Sequence, residues 1–171
     1  MKDNFLKYAE LLLDRCLNIK EEPLVIMAPI ESIEFIRILQ EHALKKGVRD
    51  IYFDWYDDEL KHQQLKYYDN KDIDKSSFFN KSIYDEYVKK NGAFLLLISE
   101  DPDIMTDIES SKLDYSAKLS RTSKPLYRKG QDNNTTKWCI ASVSTIGWAK
   151  KVFYGDSNCV NKLWNLIFDI C

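Results

Sequence analysis

Two short apolar runs constrain this chain more than any other feature. Leu24-Val25-Ile26-Met27-Ala28 lies unbroken between Pro23 and Pro29, and Ala93-Phe94-Leu95-Leu96-Leu97-Ile98 follows Asn91-Gly92. Neither run alternates apolar with polar residues, so neither has a face suited to water; each reads as a strand covered on both sides. Strands of this kind pair in parallel, and the segments that return the chain for the next strand supply the covering helices.

The segments between the runs fit that role. Phe5, Tyr8, Ala9, Leu12 and Cys16 recur at helical spacing and predict an amphipathic helix over residues 3–18. In ESIEFIRILQEHALKKG, Phe35, Ile38, Leu39, His42 and Ala43 share a face, Lys45 and Lys46 sit in the last turn, and Gly47 stands just past it. SIYDEYVKKNGA predicts a helix with Ile83, Tyr84, Tyr87 and Val88 inward, closed by Asn91-Gly92. Ser144 or Thr145 is placed to cap a helix through Phe153. Val160, Leu163, Trp164, Ile167, Phe168 and Cys171 then form a helical stripe still running at the final residue.

Two further strands complete the pattern. Residues 51–56 alternate Ile51, Phe53 and Trp55 with Tyr52, Asp54 and Tyr56, which suits a strand near an edge, and residues 137–142 form the fourth. Residues 57–81 show no clean period and predict short helical turns over the surface. Residues 104–134 read as partly helical, broken by Pro125 and Gly130. Alternation of helices and strands in 171 residues, with neither repeat nor linker, predicts an α/β fold: a single domain with an open, mainly parallel sheet and helices on both faces.

Composition excludes several roles. Lys and Arg number 25 against 27 Asp and Glu, so no global charge favours nucleic acid or an anionic membrane, and neither is expected as a partner. The N-terminal residues break their Leu run with charges too soon for a signal peptide or membrane span, giving the expectation of a soluble, cytoplasmic protein. Cys16, Cys139, Cys159 and Cys171 show no C-x-x-C or zinc-like spacing and are expected as reduced thiols, Cys139 buried and inert in mid-strand.

In a parallel sheet, ligands favour the crevice beyond the carboxyl ends of the strands. There the sequence gathers Glu31, Asp57, Glu100, Asp101, Ser144 and Thr145, a set able to bind a cation or a substrate ammonium; Glu31, Glu100, Asp101, Ser144 and Thr145 are the candidate crevice. The same residue types are also what strand–helix turns demand as caps. Glycine-rich phosphate loops are absent, His42 and His62 lack partners at ligand spacing, and no nucleophile stands beside a base. Lys112, Lys118, Arg121, Lys124, Arg128 and Lys129, interleaved with Tyr115 and Tyr127, form a basic stripe balanced by acidic residues just upstream. No catalytic or metal-ligating residue is assigned.

Taken in order, the landmarks resemble a known family. Tyr8-Ala9-Glu10-Leu11-Leu12, Leu17-Asn18-Ile19, Ala28-Pro29-Ile30-Glu31, Ala43 to Gly47 and Trp55 with Asp57 are similar to the opening of the thermophilic-type metallo-aminopeptidases, the leucyl aminopeptidase-like aminopeptidase S/T family. Gly92-Ala93, Ser99 to Pro102, Lys137-Trp138-Cys139-Ile140-Ala141, Thr145, Trp148-Ala149, Val152-Phe153, Leu163-Trp164 and Ile167-Phe168 continue the series across the whole chain. Ser144 stands where the family often has proline, and Lys20-Glu21-Glu22 replaces a glycine-containing turn.

The resemblance implies that residues 1–171 are an N-terminal α/β domain flanking the chamber of a C-terminal catalytic domain absent from this chain. It implies that two divalent metal ions (Zn, Co or Mn) act in the full-length enzyme, on peptides as substrates, and that the N-terminal domain supports a homodimer. The function so implied is that of a non-catalytic fragment or truncated product, inactive alone, of an aminopeptidase that removes N-terminal residues. The alternative is a free-standing small-ligand or protein-interaction domain with the same fold. An RNA-associated domain using the basic stripe is a third reading.

Overall fold

In the computed structural model, the structure describes residues 1–99 and 101–171, and of residues 75–82 the backbone alone. Its sheet has the strands β1 (Leu24–Pro29), β2 (Ile51–Tyr56), β3 (Ala93–Ile98) and β4 (Lys137–Ser142). They lie in the order β2-β1-β3-β4, and every pairing is parallel. The two unbroken apolar runs are therefore the two central strands, and the alternating segment is an edge.

Helices cover both faces. Leu24, Ile26 and Ala28 of β1, with Ala93, Leu95 and Leu97 of β3, point to one side. There they meet α1 (Lys2–Glu10), α2 (Ile33–Lys45), α7 (Ile146–Val152) and α8 (Cys159–Ile170). Val25 and Phe94 point to the other, under Tyr84 of α4 (Asn70–Lys89) and Tyr127 of α6 (Pro125–Asp132). A satellite cluster of Leu65, Ile73 and Ile108 ties α3 (Asp58–Tyr67) to α4 and to Leu113 and Leu119 of α5 (Ser110–Thr122).

Aromatic rings close the first face. Phe5 of α1 meets Trp164 of α8 edge-on at 4.8 Å between centroids, Phe35 of α2 lies 5.5 Å from both, and Phe168 stacks on Trp164 at 5.5 Å. Such pairs contribute about 0.5–1.5 kcal/mol each beyond the area they bury. The Tyr8 hydroxyl, within the same cluster, donates to the Ser142 carbonyl at 2.9 Å and so fastens α1 to the end of β4.

Several local expectations change for identifiable reasons. The first helix does not stay α-helical: from Leu11 to Cys16 it widens to a π-helix, with Leu17 N–H bonded to Leu12 O and Ile19 N–H to Leu13 O. The wider turn replaces Cys16 on the buried stripe with Leu17, and Cys16 is exposed. Residues 58–67 and 70–89 form two full helices, not short turns, each with an acidic cap. Asp57 accepts from Leu60 N–H at 2.9 Å, and Asp69 and Asp72 form a capping box. Pro125 starts α6, as its fixed φ allows, and Gly130 continues it. A Cβ on Gly130 would lie 2.0 Å from Thr136 Oγ1, so close approach of the chain, not helix breaking, accounts for that glycine.

Cys139 is half-buried, not buried, because β4 is an edge strand whose Trp138 and Ile140 remain exposed. Burial and the neighbouring Cys16 thiol nevertheless push its pKa up to about 11.

If the aromatic cluster carries the packing of α1, α2 and α8, Trp164→Ala lowers the unfolding free energy by about 3–5 kcal/mol. That is a large share of a typical total of roughly 5–15 kcal/mol. Urea denaturation followed by circular dichroism measures it.

Candidate functional site

All four strands run the same way, so their carboxyl ends share one rim of the sheet. Tyr56, the last residue of β2, donates its hydroxyl to the Leu97 carbonyl at 3.1 Å and accepts from Ser99 N–H at 3.0 Å. Past β4, Thr145 Oγ1 lies 2.8 Å from Ser99 Oγ and donates to the Ser99 carbonyl at 3.3 Å, while Ser144 Oγ donates to Val160 O of α8 at 3.0 Å. Ser99, Ser144 and Thr145 are all buried.

The N-terminus of α7 collects two carboxylates. Thr145 occupies the cap position but its side chain makes no capping bond; Glu31, from the turn after β1, accepts from Ile146 N–H at 2.8 Å instead. Asp101 lies against the same turn, since a Cβ on Gly147 would be 2.6 Å from its Oδ2. Its Oδ1 accepts from Asp103 N–H at 3.0 Å, and its own N–H donates to Asp58 Oδ2 at 3.1 Å. Glu31, Asp101, Ser144 and Thr145 thus stand together at the strand ends, bonded to backbone groups of the fold. Asp57 caps α3 nearby, and Glu100 lies outside the described residues.

The two histidines are held in hydrogen-bonded networks with aspartate. His42 Nε2 lies 3.0 Å from Asp14, which also pairs with Lys46 at 3.2 Å; His62 Nε2 lies 2.6 Å from Asp107, which also pairs with Lys66 at 3.2 Å. Burial opposes ionisation of Asp14, yet the His42 and Lys46 bonds hold its carboxyl below the usual range. Each network adds a lysine where a metal would need a further ligand.

On the α4–α6 side of the sheet, a polar groove of about 520 Å³ opens beyond the strand ends between α3 and the α5–α6 corner. Met27, Asp54 and Ile98 come from the strands, Leu60 and Gln64 from α3, and Ser120 and Lys124 from the corner. Asp54 accepts from the Tyr84 hydroxyl at 2.7 Å. Lys124 Nζ sits 3.4 Å from the Tyr84 ring centroid and 4.0 Å from Asp54 Oδ2, with 16% of its side chain exposed. Burial lowers the Lys124 pKa, Asp54 pulls it partly back, and Arg128 lowers it again.

In the sequence, Lys124 belongs to the basic stripe. The structure thins that stripe: Lys118, Arg121, Arg128 and Lys129 are exposed, but Lys112 donates to Leu65 O at 3.1 Å, Tyr115 donates to Asp74 at 2.8 Å, and Tyr127 is buried. The sequence holds two features that mark the groove, an aspartate inside an aromatic strand and a lysine directly before the proline that opens α6, and neither reads as a site from sequence alone.

Against known proteins, the model of the family described as thermophilic metalloprotease (M29) matches residues 1–171. The chain belongs to that family. Aminopeptidase 2 of Geobacillus stearothermophilus is 27% identical over 167 residues, covering 96% of this chain and 40% of its own length. Aminopeptidase T of Thermus thermophilus is 28% identical over 171 residues, 98% of this chain and 42% of its own length. A solved structure titled wild-type AmpT from Thermus thermophilus superposes with a TM-score of 0.87 at 26% identity, covering 98% of this chain and 43% of that one.

The chain therefore spans about two fifths of the length of these relatives and corresponds to their N-terminal domain. A metalloprotease family implies metal ions, but among the described residues no group of three or more His, Cys, Asp or Glu could hold one. The described residues do not fit a metal centre. Among the same residues, no helix is long and apolar enough to cross a membrane.

With the α7 N-terminus capped from outside its own helix, Glu31→Ala costs about 0.5–2 kcal/mol in unfolding free energy. Glu31→Gln retains an acceptor oxygen and costs less. Thermal melts of the two variants side by side separate these outcomes.

Proposed function

We propose that this chain serves as the N-terminal, non-catalytic domain of a cytoplasmic aminopeptidase that removes N-terminal amino acids from peptides. The observation that carries the reading is a near-complete structural match, TM-score 0.87 over 98% of the chain, to only 43% of a Thermus aminopeptidase T chain. The donor chemistry supports it too: carboxylates at the strand ends cap helices, and both histidines are committed to aspartate–lysine pairs. In this reading, two divalent ions (Zn, Co or Mn) belong to a C-terminal catalytic domain outside this chain. The present domain flanks the substrate chamber, limits access to it and supports a homodimer.

The test is direct. Purified chain incubated with leucyl-p-nitroanilide and cobalt, zinc or manganese releases no p-nitroaniline above a protein-free control. Metal-dependent release that co-purifies with the folded chain overturns the proposal.

A further inference from the structure

The groove beside Lys124 is unexplained by a purely supporting role. It lies outside the carboxyl ends of the strands, where Met27 of β1 and Ile98 of β3 adjoin. That is the point at which the strand order reverses, with β2 on one side of β1 and β3-β4 on the other. Helices after β1 and β3 leave in opposite directions at such a point and leave a crevice between them. The volume, about 520 Å³, suits a small molecule.

Its chemistry is bipolar. An ammonium offers three donors, and Lys124 meets an aromatic face at 3.4 Å and a carboxylate oxygen at 4.0 Å, the latter beyond hydrogen-bond range. Asp54 itself accepts from the Tyr84 hydroxyl at 2.7 Å, which fixes it behind the lysine. At the other end, Asp57 and Asp58 stand at the first turn of α3, and the cap to Leu60 N–H and the bond from Asp101 N–H each engage one carboxylate oxygen. Lys61 also lines the groove.

Three carboxylates against two ammonium groups would repel a phosphate, and two lysines disfavour a bare cation. A molecule carrying both charges suits the set. The wall between the poles is apolar: Leu60 and Ile98 are among the exposed large hydrophobic side chains of the molecule, and both face this groove. Exposed apolar side chains gathered at one concave, polar-ended place mark a ligand surface more than a solvated one.

We infer that this groove binds a small zwitterion with an apolar side chain, a free amino acid or dipeptide, its carboxylate on Lys124 Nζ and its ammonium toward Asp57 and Asp58. The inference goes beyond the supporting role proposed above and stands on the groove alone; a chain inert toward leucyl-p-nitroanilide can bind leucine or fail to.

Calorimetric and 15N–1H NMR titrations of the unaltered chain with L-leucine, L-leucinamide and N-acetyl-L-leucine test it. Leucinamide lacks the carboxylate and N-acetylleucine lacks the ammonium. The expected result is that leucine binds and shifts the amide signals of Asp54, Gln64 and Ser120, while each analogue binds weaker by about tenfold or more. Lys124→Met, with its fold checked by circular dichroism, weakens leucine by a similar factor. Equal binding of leucine and leucinamide overturns the assignment, as do undiminished leucine binding by Lys124→Met and the absence of any leucine-induced shift. The analogue series needs no variant, so it decides the matter even if Lys124→Met does not fold.

Discussion

The parallel ladder between β1 and β3 is the constraint on which the rest of the structure depends. Its residues are buried almost without exception, and a parallel pair has no face it can leave to water. Each side must therefore be covered by helices whose own packing is secure. On one side Phe5, Phe35, Trp164 and Phe168 lock α1, α2 and α8 together; on the other Tyr84 and Tyr127 bring down α4 and α6 over Val25 and Phe94. Edge strands β2 and β4 are half-covered because each has a ladder partner on one side only.

That parallel arrangement also decides where polar chemistry collects. Strand ends that all point one way bring short polar side chains to one rim, together with the free N–H groups of the helices that follow. Most of the rim serves the fold: Glu31 satisfies α7, Asp57 satisfies α3, and Ser99 and Thr145 bond to each other and to backbone. What remains open is the groove one layer over, where Lys124 and Asp54 belong to elements far apart in sequence.

Strands, sheet type and two-sided cover were legible because each rests on a local pattern: two apolar runs, one alternating run, and helical stripes ended by Gly47 and Asn91-Gly92. Helix α3 and the first part of α4 were not, because their inward residues Leu65 and Ile73 pack on a small satellite cluster and leave little periodic signal. The π-helix was hidden for a related reason: Leu11, Leu12 and Leu13 allow either register, and only packing against the sheet selects Leu17 over Cys16. At the rim, residue types were readable but their use was not. A glutamate that caps a helix 115 positions away looks the same in sequence as one that holds a ligand.

Family membership and the donor inventory of the described residues support the proposal that the part of this domain in peptide hydrolysis is structural. The measurement that addresses this most directly is the metal content of the purified chain, determined by plasma mass spectrometry after equilibration with excess zinc, cobalt or manganese and dialysis. The account predicts bound metal far below one ion per chain, because among the described residues no carboxylate–histidine group of sufficient size is assembled. Stoichiometric retention of one or two ions per folded chain would contradict it.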